Sequence, residues 1–209
     1  MINKRPQKHG LYNPANEHDA CGVGFVAHLH GKTSRQIIDS GLQLLANLTH
    51  RGAVGANPTT GDGAGLMTQM PHNFFRTVAA QNGFSLPNQY GCAMLFLPKQ
   101  EKQQAAMRQM IDNILAQENL PLLGWRQVPV CREAINDEVA ASEPSIWQVF
   151  VGGAPHDDED NNGDGYERRM FIARKQMENA ARAAKLDFYC CSFSARTVVY
   201  KGMFLADQL

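Results

Sequence analysis

A chain of 209 residues with 44% apolar and 19% charged side chains has the composition of an ordinary globular protein; its size lets it bury roughly two-thirds of the surface its unfolded form exposes. Twenty basic residues balance 20 acidic ones, which leaves no electrostatic argument for a nucleic acid or an anionic membrane as partner. No run approaches the roughly 18 consecutive apolar residues of a bilayer span, and five cysteines at 21, 92, 131, 190 and 191 lack the even count and spacing of a secreted disulfide scaffold.

Residues 1–20 (MINKRPQKHGLYNPANEHDA) are polar, contain Pro6, Gly10 and Pro14, and show no periodicity. They hold no apolar stretch of signal-peptide length, so a cytoplasmic protein is expected. The character changes at Cys21: CGVGFVAHL reads as a small-residue strand entering a core. In SRQIIDSGLQLLANLTHRG, Ile38, Leu42, Leu45 and Leu48 recur at helical spacing, with Gly52 beyond the end as a stop signal. AVGANPTTGDGAG is a loop, because its glycines, Asn57 and Pro58 break regular structure and permit positive φ. GLMTQM predicts a second strand, residues 72–81 a short helix, and YGCAMLFLP the most apolar strand. A Gln-rich helix over about 99–118 would bury Met107, Met110, Ile111, Ile114 and Leu115. WRQVPV and IWQVFVG read as strands. A second long helix, about 166–185, places Met170, Ala173, Met177, Ala181 and Ala184 on one face. LDFYCCSFSARTVVYKGMF reads as a two-stranded hairpin, in which neighbouring Cys190 and Cys191 point to opposite faces and cannot form an ordinary bridge. Paired strands separated by long helices favour an α+β layered sandwich over a parallel doubly wound fold.

Taken alone, a cysteine before Gly22 and Gly24 fits a buried structural role. Its position alters that, for Cys21 stands where a polar leader meets the first ordered-looking segment. Removing the leader would free an α-amino group with a pKa of about 7.7–8.0, close enough to neutrality to act as general base for the thiol on the same residue. A thiolate suits acyl transfer from an amide. Other patterns carry less. In DDEDNNGDG the bidentate Glu that a calcium loop needs at its twelfth position is Arg169 when counting from Asp158 and Phe171 from Asp160. GDGAG has Leu66 where a dinucleotide loop requires glycine and no following GK[ST]. His28 and His30 could share a strand face but lack a third ligand, and no CxxC occurs, so no metal site is expected.

HGLYNPANEHDACGVGFVAH resembles the processing site and first strand of bacterial-type glutamate synthase large subunits. LLANLTHRGAVGANPTTGDGAG resembles the HRG-containing helix end and glycine-rich loop that follow in that family, and FYCCSFSARTVVYKGMF resembles its later hairpin. The HRG element is shared by class II glutamine amidotransferases at large; leader, glycine loop and YKGM hairpin together point to glutamate synthase rather than to asparagine synthetases or phosphoribosyl amidotransferases.

The resemblance implies a four-layer αββα sandwich of the Ntn-hydrolase type, with residues 1–20 a propeptide and 21–209 the N-terminal part of an amidotransferase domain, incomplete at its C-terminus. Cys21, as the mature first residue, would attack the side-chain amide of glutamine, release ammonia from a glutamyl thioester, and yield glutamate on hydrolysis. Arg51 would fix the nucleophile's loop, a task suited to a planar, always-charged guanidinium, and Gly52 would allow close backbone approach beside it. Without the resemblance, Arg51 reads as a cation offsetting a helix C-terminus. The family's Asn-Gly oxyanion pair and its substrate-binding arginine and aspartate are expected in segments like HQRFSTNT and HNGEINT, which do not occur here; the Asn-Gly pairs present, Asn82–Gly83 and Asn162–Gly163, have other flanks. An alternative is therefore an inactive fragment serving only as a folding or interaction module. The incomplete sandwich should expose an unpaired strand edge and apolar sheet surface, so self-association is expected. For the full-length enzyme the resemblance implies amination of 2-oxoglutarate in nitrogen assimilation, with FMN and an iron–sulfur cluster in later domains and a small NAD(P)H-oxidising subunit as partner. Within these residues it implies no cofactor.

Overall fold

The computed structural model describes residues 22–48, 61, 63–135, 137–153, 164–203 and 205–209. In chain order the elements are α1 (Arg35–Asn47), β1 (Ala64–Gln69), α2 (His72–Gln81), β2 (Tyr90–Leu97), α3 (Glu101–Gln117), β3 (Leu122–Gln127), α4 (Asp137–Ser142), β4 (Ser145–Gly152), α5 (Asp164–Ala184), β5 (Tyr189–Ser194) and β6 (Thr197–Gly202). They divide into two compact units, Met1–Ala64 with Met203–Gln208, and Gly65–Gly202 with Leu209.

The larger unit is built on the run YGCAMLFL. Strand β2 lies inside a four-stranded antiparallel sheet of order β3-β4-β2-β5, and both of its faces are covered, which is why its sequence is apolar without alternation. Ala93, Leu95 and Leu97 face α3 and α5 and pack with Met107, Ile111, Leu115, Met170, Ala173 and Met177. Tyr90, Cys92 and Met94 face the other way, toward Phe75 and Val78 of α2 and Val198 of β6. The α3 stripe is as its spacing predicts, with Met110 only partly buried. On α5, Tyr166 joins the buried face, whereas Ala184, the last residue of the helix, is exposed.

Gly91 is required by close packing. A methyl group there would collide with Met170 Sδ and crowd Val151 and the Tyr166 hydroxyl, all buried, while Tyr166 Oη donates to Val151 O at 3.0 Å. Gly91→Ala is expected to lower stability by about 1–3 kcal/mol, read as a lower urea midpoint with unchanged slope.

Strands β5 and β6 differ from the expected hairpin. They lie in separate sheets: β5 borders β2, and β6 pairs with β1 in a two-stranded sheet. The corner between them is held by the first turns of α5. Glu167 Oε1 accepts from Ser194 Oγ (3.0 Å) and from the Ala195 amide (2.8 Å), Ser194 Oγ accepts from the amides of Arg196 and Thr197, and Arg196 pairs with Asp164 at 2.7 Å. A bulge shifts the β2–β5 register between Met94 and Leu95, so that Leu95 opposes Cys190 while Met94 opposes Ser192. The extra residue is Cys191, and the two cysteines enter opposite cores, unbridged.

In the smaller unit α1 forms as its periodicity predicts, although none of its side chains is fully buried. The strand expected over CGVGFVAHL does not form. Residues 22–28 are irregular, and Val23, Phe25 and Leu29 are 89%, 89% and 98% exposed. A strand needs neighbours to satisfy its backbone donors and acceptors, and among the described residues none lies alongside. No helix among the described residues is long and apolar enough to cross a membrane.

Candidate active site

The three residues singled out as site residues, Cys21, Arg51 and Gly52, lie outside the described residues, as does most of the loop between them and β1. Their flanking segments are described. Gly22 follows Cys21 directly, and Gly24 packs against Leu44 of α1. Helix α1 ends at Asn47 with Leu48 as its cap, three residues ahead of Arg51. The Gly24–Leu44 contact joins segment 22–28 to α1.

The remaining cysteines are unsuited to nucleophilic work, with one exception. Cys92 is fully buried and burial pushes its thiol far up, only partly offset by Arg126. Burial likewise pushes Cys190 up to about 12 and Cys191 to about 11. A thiol held protonated in an apolar core is inert, because the thiolate is the reactive form. Cys131 is exposed on the loop after β3. Native protein treated with iodoacetamide at pH 8 is therefore expected to alkylate Cys131 but not Cys92, Cys190 or Cys191, which should react only in denaturant; peptide mapping checks this. These thiols ionise at higher pH in the native state than in the unfolded chain, so their contribution to stability is complete below about 8.5, the ordinary thiol value, and is lost as pH rises toward their native values.

Two buried polar groups gave no signal in the sequence. Arg126 of β3 and Gln148 of β4 face each other across the sheet register, with Arg126 Nη1 donating to Gln148 Oε1 at 2.7 Å. The Arg126 guanidinium lies 5.5 Å from the centre of the Phe74 ring. Gln148 Nε2 is buried, and the Gln148 side chain also reaches the Tyr200 hydroxyl. At the far end of the same strands a groove of about 280 Å³ is lined by Gln104, Gln127, Arg132, Glu143, Ser145 and Trp147, among others. Glu143 Oε2 is 3.3 Å from Arg132 Nε, close enough for an ion pair but without hydrogen-bond geometry. Among the described residues no cysteine or histidine lines this groove, and Ser145 Oγ accepts from Trp147 Nε1.

His28 and His30 sit at a turn, not on a strand, and the His30 amide donates to His28 Nδ1 at 3.1 Å. Asn82 ends α2, its side-chain amide donating to Val78 O at 2.7 Å, and Gly83 turns the chain at φ 81°; this Asn-Gly pair is a helix cap. Asn162–Gly163 and residues 157–163 of the calcium-like loop lie outside the described residues. Among the described residues no group of three or more His, Cys, Asp and Glu side chains gathers as a metal site would require.

Comparison with known proteins identifies what these segments belong to. The family profile "Glutamine amidotransferases class-II" matches residues 21–209. The chain is 41% identical over 207 residues to the glutamate synthase [NADPH] large chain of Bacillus subtilis, covering 99% of this chain and 13% of that protein. It is 39% identical over 204 residues to the glutamate synthase [NADPH] large chain of Azospirillum brasilense, covering 95% and 13%. It is 36% identical over 209 residues to ferredoxin-dependent glutamate synthase 1 of Arabidopsis thaliana, covering 98% and 13%. The chain thus spans about 13% of the length of these relatives. Over all but its first 20 residues it belongs to the class-II glutamine amidotransferases, in the part of that family found in glutamate synthase large chains.

Proposed function

We propose that this chain supplies the nucleophile of a glutaminase site, with Cys21 splitting the side-chain amide of glutamine. The observation that carries the reading is the family match, which starts on Cys21 and runs to Leu209. The burial of three of the other four cysteines supports it by removing competitors. In the proposed reaction the α-amine of Cys21, freed when residues 1–20 are cut away, accepts the thiol proton. The thiolate attacks the carboxamide carbon, a C–S bond forms, the C–N bond breaks, and the amine returns the proton to departing ammonia. Water then cleaves the thioester and releases glutamate. Arg51 and Gly52 hold the nucleophile's surroundings in this scheme.

The finer architecture belongs to the same proposal. Unit Gly65–Gly202 has a helical layer of α3 and α5, a four-stranded sheet, and beyond it the β1–β6 pair with α2, an arrangement that supports the four-layer αββα sandwich. In the whole protein, liberated ammonia would aminate 2-oxoglutarate. FMN, an iron–sulfur cluster and an NAD(P)H-oxidising partner are assigned to portions outside these residues, and the cytoplasm is the expected compartment. The test is to treat the full-length protein with a glutamine-analogue electrophile and map the adduct. Modification of Cys21, blocked by excess glutamine, is expected; modification of another residue with loss of activity overturns the assignment.

A further inference from the structure

We propose that the groove beside Glu143 binds a free α-amino acid with an apolar side chain, Glu143 receiving its ammonium group and Arg132 and Lys99 its carboxylate. The assignment does not depend on Cys21.

Three connections meet at this end of the four-stranded sheet. Leu97 closes β2 opposite Ser145, which opens β4, and Val128, just past β3, donates its amide to Ile146 O at 2.9 Å. The chain leaving β2 therefore brings Lys99 to the groove, the chain leaving β3 brings Arg132 on a 3-10 turn, and the chain entering β4 brings Glu143. Lys99 is tethered by its ammonium, which donates to Ala140 O of α4 at 2.9 Å. The groove measures about 280 Å³, below the roughly 300–1,000 Å³ of pockets for drug-sized molecules and suited to a smaller one.

Glu143 is the residue that asks for a ligand. Its side chain is only 10% exposed, its Oε2 is buried, and among the described residues no hydrogen-bond donor reaches that oxygen. Arg132 Nε lies 3.3 Å away and balances the charge, but its side chain is 66% exposed and stands outside hydrogen-bond geometry. A buried carboxylate oxygen without a donor is costly, and a donor entering the groove removes that cost. The charges around it narrow what the donor can be. A metal ion would meet the cations of Arg132 and Lys99, and a phosphate would meet the anion of Glu143. With Glu101 also on the lining, two cations face two anions, a balance that a zwitterion preserves. An α-amino acid carries its ammonium and carboxylate side by side on one carbon, as Glu143 and Arg132 present the complementary pair. A guanidinium takes a carboxylate through two parallel N–H donors, and the lysine adds a point charge. Val128, Ile146 and Trp147 supply an apolar wall, and the indole N–H of Trp147 already donates to Ser145 Oγ at 2.8 Å, which favours an apolar ligand side chain there.

Isothermal titration calorimetry on the full-length enzyme tests the site, with L-leucine as probe beside two analogues that each lack one charge, L-leucinamide and isocaproate. L-Leucine is expected to bind saturably. Each analogue should bind about 10-fold or more weakly than L-leucine, since each loses a hydrogen bond to a charged group. Glu143→Gln and Arg132→Met should each weaken L-leucine by about 10-fold or more. Glu143→Gln should not weaken isocaproate further, because that molecule has no ammonium for Glu143 to receive; such coupling marks a direct contact. Arg132 is mostly exposed, so Arg132→Met decides the matter if Glu143→Gln does not accumulate. Absence of saturable binding at millimolar L-leucine overturns the site. Binding that neither variant weakens overturns it too, by placing the amino acid elsewhere on the enzyme.

Discussion

Replacing Cys21 by alanine is expected to lower glutamine hydrolysis by about 10⁴-fold or more, the scale seen when a covalent nucleophile is removed. The expected size follows from the absence of a substitute. Cys92 and Cys190 are fully buried and Cys191 nearly so, and burial keeps their thiols protonated well above neutral pH. Cys131 is exposed, but a side chain inside the chain carries no α-amine to deprotonate it. The loss should fall on kcat, with the urea midpoint unchanged, because residues 22–28 contribute little to the described core. Steady-state assays of ammonia release by the full-length variant check it, and residual turnover above about 1% of wild type would contradict the assignment.

The largest expected effect on stability is at Phe150. This residue sits in the middle of β4, opposite Cys92 of β2 and Gly124 of β3, and is fully buried. Its ring meets Phe75 edge-on at 5.1 Å, Phe84 at 5.5 Å and Tyr90 at 6.3 Å between centroids. It therefore joins α2, the segment after α2 and the four-stranded sheet through a single side chain. Phe150→Ala removes buried apolar area and leaves a cavity that three aromatic rings anchored on different elements cannot close. A loss of about 3–5 kcal/mol is expected, a large share of the roughly 5–15 kcal/mol that holds a domain folded. Urea unfolding followed by fluorescence measures it, and a loss below about 1 kcal/mol would mean that this core repacks freely.

Local pattern was informative wherever a segment's surroundings matched its own periodicity. The run Tyr90–Leu97 declared a strand covered on both faces, and the spacings of Met107, Ile111, Ile114 and Leu115 and of Met170, Ala173 and Met177 gave the helical faces that cover it. Elements whose state depends on partners were not legible. Val23 and Phe25 alternate like strand residues, yet a strand exists only with a ladder. The sequence around Ala195 predicts a tight reversal and gets one, but whether the returning strand rejoins the same sheet is decided by Glu167, 27 residues before Ser194. Arg126 in a strand would ordinarily mark a solvent face; here Gln148 across the register accepts its hydrogen bond and lets it lie buried. For the site the residues alone left Cys21 open between structural and catalytic roles. The polar leader suggested the chemistry, and the resemblance to glutamate synthases gave it a substrate.

The chemistry depends on one covalent fact about the active protein, and N-terminal sequencing of the full-length enzyme, alongside its glutaminase rate, reads that fact directly. The active form is expected to begin at Cys21 with a free α-amino group, and molecules retaining residues 1–20 are expected to be inactive. A preparation that keeps Ala20 joined to Cys21 and still hydrolyses glutamine at the full rate would contradict it.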